Sequence, residues 1–135
     1  MPRLFLPAQL GGLEVDPVTC ALVCEKLAAA DTAAAWHVMV FNAARLMAAQ
    51  WPEALVEQLW GSDPDTLVAA SGHSPLQAVA RGDGYVISGR QRFVSGCDRA
   101  TWLLSPVLID DTAGMAVMPL AECSIEQNWD CLLYT

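Results

Sequence analysis

The sequence predicts an α+β protein. Three observations carry this. Apolar residues recur at helical spacing as far as about Gly61, β-rich runs divided by turn clusters fill the remainder, and the two patterns are segregated rather than alternating. This predicts N-terminal helices followed by an antiparallel sheet or partial antiparallel β-barrel. The division falls into a helical segment, 1–62, and a partial β-domain, 63–135.

Asp16-Pro17 opens the first helix, because an aspartate caps free N–H groups and proline is pre-set for the first helical turn. The helix is expected to run to about Ala30. Val18, Ala21, Leu22 and Leu27, with Cys20 and Cys24, give it an apolar side. Asp31 or Thr32 caps a second helix reaching about Gln50, apolar nearly all round, as in a helix sandwiched between others. Trp51-Pro52 breaks that pattern, since a residue before proline avoids the helical region. A short third helix follows from Pro52 to Trp60, with Gly61 as its expected stop.

Ser62-Asp-Pro-Asp is a turn cluster. Beyond it the β-rich runs are Thr66–Ala70, Leu76–Arg81, Tyr85–Ser95, Thr101–Ile109 and Met115–Leu120. Arg81-Gly-Asp-Gly-Tyr85 is a hairpin signal in which Asp-Gly is expected to supply the positive φ of a tight turn.

Composition narrows the function classes. The chain has 135 residues, 54% hydrophobic and 16% charged, which excludes a disordered chain and leaves apolar surplus for a partner. A formal charge of −8 with seven basic residues argues against nucleic acid. Four of those seven (Arg81, Arg90, Arg92 and Arg99) cluster in one stretch, where a local anionic contact stays open. No run is long enough to span a bilayer and no signal peptide is evident. Five cysteines without a CxxC pair, and two histidines, do not make a zinc site. Reduced thiols fit a cytoplasmic protein.

The stretch Gly82-Asp-Gly-Tyr-Val-Ile-Ser-Gly-Arg-Gln-Arg-Phe-Val-Ser-Gly96, followed by Ala100-Thr-Trp102, resembles the middle β-domain of acyl-CoA dehydrogenases. Ser-Gly-Cys-Asp-x-Ala-x-Trp is closer to the flavin-dependent monooxygenase branch of that fold, and Trp129-Asp130 matches a tryptophan of that branch. Leu6-Pro7, Gly11-Gly12-Leu-Glu14, Glu25–Asp31 and Ala35-Trp36 resemble the latter part of the family's N-terminal helical domain. Two departures matter. Ala70-Ser71-Gly72-His73-Ser74-Pro75 stands where the dehydrogenases carry an acidic segment, which favours the monooxygenase branch. Gln91 replaces the aromatic or small residue usual in the hairpin.

The resemblance implies a piece of a flavin-dependent oxidoreductase, of dehydrogenase or monooxygenase type, with FAD or FMN as cofactor. It implies flavin proximity for Ser71, Phe93, Val94 and Ser95. Family enzymes are much longer and end in a helical bundle that carries the catalytic base, so catalytic residues stay unassigned and full activity is not expected of this chain alone. A truncated β-domain with an open edge leads to the expectation of a homo-oligomer or of a C-terminal helical partner. The alternative is a non-catalytic module, derived from the fold, that binds a small ligand or another protein. Among the other residues, His37 reads as an ordinary helical histidine, His73 lacks an acid to orient it, and the paired aspartates read as solvated turns rather than metal ligands.

Overall fold

The computed structural model describes residues 3–128. Its α+β architecture matches the expectation: helices α1 (Pro17–Ala28), α2 (Thr32–Ala48) and α3 (Glu53–Trp60) precede five strands, β1 (Val68–Ala70), β2 (Leu76–Arg81), β3 (Gly84–Ser88), β4 (Trp102–Ile109) and β5 (Thr112–Pro119). The strands form one sheet.

Both anticipated caps are present. The Asp16 carboxylate accepts from the Val18 and Thr19 backbone N–H groups, and that of Asp31 from Ala34. Each fills orphan donors of a first helical turn. Gly61 keeps a helical φ of −63° instead of turning left-handed, its N–H closing α3 on Glu57 O.

The sheet is mixed, not antiparallel throughout. β2–β3 and β4–β5 are antiparallel hairpins, but β1 and β2 both pair parallel to β4. β3 and the segment 89–101 carry the chain back to the level of β1 before β4 begins, and such a return is what makes a parallel pair. β5 occupies one whole edge of β4, so β1 and β2 share the other: Ala70 pairs with Leu104, and pairing resumes at Leu76 with Val107. β1 and β2 therefore act as one strand interrupted at 71–75.

The strand run anticipated over 85–95 stops at Ser88. In the β2–β3 turn the positive φ falls on Gly82, at +60°, with Gly82-Asp83 as the central pair. The second hairpin is tighter than the turn cluster suggested. Asp110 and Asp111 are its two central residues, at φ +47° and +65°, and β5 starts at Thr112.

Alternation along β1 and β4 builds a core on each face of the sheet. Val68 and Leu104 join Leu6, Ala44, Ala48, Leu59 and Trp60 on the helical side. Ala69 and Leu103 join Leu120 on the other, with Val94, Cys97 and Cys123 against them. Leu76, Ala78 and Val107 form a third cluster. Trp60 is wholly buried, and burial of a large apolar side chain contributes about 1.5–3 kcal/mol.

Arg45 of α2 is buried beside this core. It donates to the carbonyls of Phe41, Pro64 and Thr66 and lies over the Trp60 ring at 5.4 Å. Its Nε has no partner, and burial pushes its pKa down to about 10. The charge pins α2 to the 62–66 turn. No described helix is long and apolar enough to cross a membrane.

Candidate functional site

Three segments meet at the interruption between β1 and β2: the loop 71–75, the loop 89–100 and the first turns of α2. Gly96 seats the second loop on the helix. Its φ is +78°, and a Cβ there would come within 2.4 Å of the Phe41 ring. No other residue combines that backbone with that closeness. Trp36, on the exposed side of α2, donates from Nε1 to Ser95 Oγ at 3.1 Å.

The four residues singled out for flavin proximity lie in these two loops, with different exposures. Phe93 is 70% exposed, holds φ +57°, and its ring stands 6.0 Å from that of His73, tilted by 55°. Val94 turns inward onto the Ala69–Leu103–Leu120 cluster. Ser95 closes a tight turn, its N–H donating to Phe93 O at 3.0 Å. Its hydroxyl accepts from Trp36, which leaves the proton without an acceptor among the described residues. The backbone N–H groups of Phe93 and Val94 likewise have no partner among the described residues.

Ser71 is 5% exposed, and its hydroxyl is engaged inside the fold. It lies 2.8 Å from Gln91 Oε1 and 3.0 Å from Arg92 O. Its own N–H extends the β1 pairing to Leu104 O. Ser74 Oγ sits 3.2 Å from His73 Nδ1, but no carboxylate orients that ring among the described contacts, so the pair does not form a triad. No group of three or more metal-ligating side chains occurs among the described residues.

Sequence reasoning missed Trp36, His73, Gln91 and Ser105 as members of this cluster. Gln91 carried one signal, its departure from the residue type usual at that place. The two loops and α2 bring together an exposed aromatic ring, an indole, a hydroxyl and two backbone N–H groups without partners among the described residues. Such a set suits a flat heteroaromatic with acceptors along one edge. Trp129-Asp130 lies outside the described residues.

No protein-family model matches the chain. Among curated proteins it is similar to the oxygenase subunit HsaA, a flavin-dependent monooxygenase of Mycobacterium tuberculosis, with 30% identity over 132 residues, 93% of this chain and 33% of the relative. It is equally similar to an indole-3-acetate monooxygenase of Pseudomonas putida, 30% identical over 133 residues, 95% of this chain and 34% of the relative. Among solved structures, HsaA from M. tuberculosis superposes with a TM-score of 0.86 at 27% identity, over 97% of this chain and 37% of that one. XiaF from a Streptomyces species, solved with FADH2 and glycerol, superposes at 0.90 with 22% identity over 97% of this chain and 35% of that one, a likeness of fold alone. The chain thus spans about one third of the length of the relatives it matches. Over that third it is homologous to the N-terminal portion of acyl-CoA-dehydrogenase-like flavin-dependent monooxygenase oxygenase components.

Proposed function

We propose that this chain forms one wall of the reduced-flavin site of an aromatic-hydroxylating monooxygenase. The carrying observation is the joining of loops 71–75 and 89–100 into an open face that presents Phe93, Ser95 and Trp36 together. The similarity to HsaA and to an indole-3-acetate monooxygenase supports the reaction class. An FADH2-dependent resorcinol hydroxylase of a Rhizobium species, 28% identical over 110 residues, supports FAD as the cofactor.

In this reading Ser95 donates its free hydroxyl proton to the ring's polar edge, while Trp36 fixes that hydroxyl by donating to it. Phe93 covers the ring and keeps water from one side. Val94 anchors the loop from below, and Ser71 supports it from within. A bound reduced flavin supplies the electrons that allow dioxygen to give one oxygen atom to the substrate and one to water. The binding test is an anaerobic titration with FADH2, alongside FAD and FMN, followed through Trp fluorescence. We expect a dissociation constant near 1 μM for FADH2, about −8 kcal/mol, weakened about tenfold in Ser95→Ala for the lost hydrogen bond. No saturation up to about 1 mM (about −4 kcal/mol) sinks the reading.

A second observation bears on partners. Trp36, Met39, Ala43 and Leu46 line the exposed side of α2 at three- and four-residue spacing, the seam that accepts another helix. The relatives are about three times as long as the matched region, and we read the seam as the seat of helices from that further length. A polypeptide corresponding to the remainder should bind the chain and protect α2 amides from exchange. Met39→Glu should abolish this, and unchanged binding by Met39→Glu would reject the seam.

A further inference from the structure

The break in the sheet is filled by a side chain. On one edge of β4 the pairing with β1 ends at Leu104, and the pairing with β2 resumes at Val107. Residues 71–75 bulge away over this interval. Ser105 and Pro106 face the gap, where a proline's missing N–H costs no bond to β1 or β2. Gln91 reaches in from the other loop. Its Nε2 donates to Ser74 O and to Ser105 Oγ, each at 2.7 Å, and its Oε1 lies 2.8 Å from Ser71 Oγ.

The chemistry defines the amide's orientation. Ser74 O only accepts, so the atom beside it is the nitrogen, and the oxygen faces the Ser71 hydroxyl. Both amide protons and the amide oxygen are thereby used. Ser105 is wholly buried and Ser71 nearly so. Broken hydrogen bonds there leave polar groups that water does not readily reach, which is where such a loss costs most.

We propose that Gln91 is a positioning residue, whose amide plugs the interruption between β1 and β2 and holds in place the loop that presents Phe93, Val94 and Ser95. The consequence for flavin rests on the reading given under Proposed function. The latch itself stands on the hydrogen bonds alone. A hydrocarbon or aromatic residue at this position has no means of bridging Ser71, Ser74 and Ser105, so the device belongs to this chain's own departure from the family pattern. Three segments are coupled through one side chain: loop 71–75, β4 and loop 89–100.

The test is Gln91→Glu, with Gln91→Ala beside it. An ionised glutamate places a second acceptor against Ser74 O and opens the latch. A protonated one accepts from Ser71 and donates once, which restores most of it. The titratable or charged groups around position 91 are His73 in the facing loop and the flanking Arg90, paired with Glu126, and Arg92. Wild type measured over the same pH range accounts for them, since β4 contributes none.

Amide exchange by mass spectrometry, corrected for the intrinsic pH dependence, should show segment 89–97 opening about tenfold faster in Gln91→Glu at pH 8. The β2–β3 hairpin should be unchanged. FADH2 binding should weaken about tenfold in parallel. Both effects should recover toward wild type as pH falls through about 4, the ordinary glutamate range, in Gln91→Glu and not in Gln91→Ala. Unchanged exchange at 89–97, or an equal rise in the hairpin, overturns the latch. Loosened exchange with unchanged FADH2 affinity overturns the positioning role. Should wild type itself fail to bind flavin, the flavin reading falls on its own, and exchange still decides the latch.

Discussion

Two polar centres tie this molecule together, Arg45 buried and Gln91 half-buried, and they are built on opposite principles. Arg45 is a charge hydrogen-bonded to carbonyls, with Asp65 and Asp63 acting on it through space and with Nε unpartnered among the described residues. Gln91 is neutral, and every hydrogen-bonding atom of its amide is used. Arg45 joins the helices to the start of the sheet. Gln91 joins two loops across a break inside it. A buried cation without a directly hydrogen-bonded counter-ion carries a heavy desolvation cost, offset here by three carbonyls, the Trp60 ring and the nearby charges of Asp65 and Asp63. A satisfied amide carries little. The first centre suits a place where rigidity alone is needed, and the second a place where a loop must keep one conformation.

The largest expected effect tests that division. Arg45→Ala removes the carbonyl bonds and the ring contact and opens a cavity beside Trp60, so it should cost about 3 kcal/mol of global stability in urea unfolding. Gln91→Ala should cost roughly half as much globally, its effect being concentrated in segment 89–97. Equal global losses would erase the distinction between the centres.

A smaller effect sharpens it. Neither centre has a carboxylate hydrogen-bonded within it, and Asp65, which feels the Arg45 charge, is itself exposed, so the acid limb of stability should arise at the surface. The Arg3 guanidinium, hydrogen-bonded to Asp65, holds that carboxyl below the ordinary range, and Thr19 does the same for Asp16. A depressed carboxyl contributes stability that is fully present above the unfolded value, near 3.8, and is lost as pH falls through the folded one. Asp65→Asn should flatten that limb below about pH 4, whereas Gln91→Ala should shift the curve without changing its shape. A Gln91→Ala limb altered as much as that of Asp65→Asn would place a titrating group in the neutral centre.

Much of the fold was legible because its signals are local. Asp16-Pro17 and Asp31 cap helices through their immediate neighbours, and the three helices lie within two or three residues of their expected bounds. The order of the strands along the chain was equally legible. Their pairing was not. Two strands of alternating burial look the same in sequence whether they run parallel or antiparallel, and the choice depends on where residues 89–101 return the chain. The strand anticipated over 85–95 ends at Ser88, where Gly89 turns to φ +132°, and Phe93, a non-glycine residue, takes a positive φ further on. Gly89 and Gly96 flank this loop, but the partner that fixes Gly96, the Phe41 ring, belongs to another element.

The sequence by itself determined the class of the protein, its helices, its hairpins and the neighbourhood of the site, since caps, periodicity and turn residues act over a few positions. It also carried the family's order of motifs, which named Ser71, Phe93, Val94 and Ser95 together. Only the tertiary structure decided how those four differ: Ser71 buried, Val94 packed inward, Ser95 half-buried against Trp36 and Phe93 exposed. It alone brought Trp36 to Ser95 and Gln91 into the break between β1 and β2. Those contacts join residues up to 59 positions apart. Hydrogen bonds over such separations form only once packing has fixed both ends, so no local pattern can encode them.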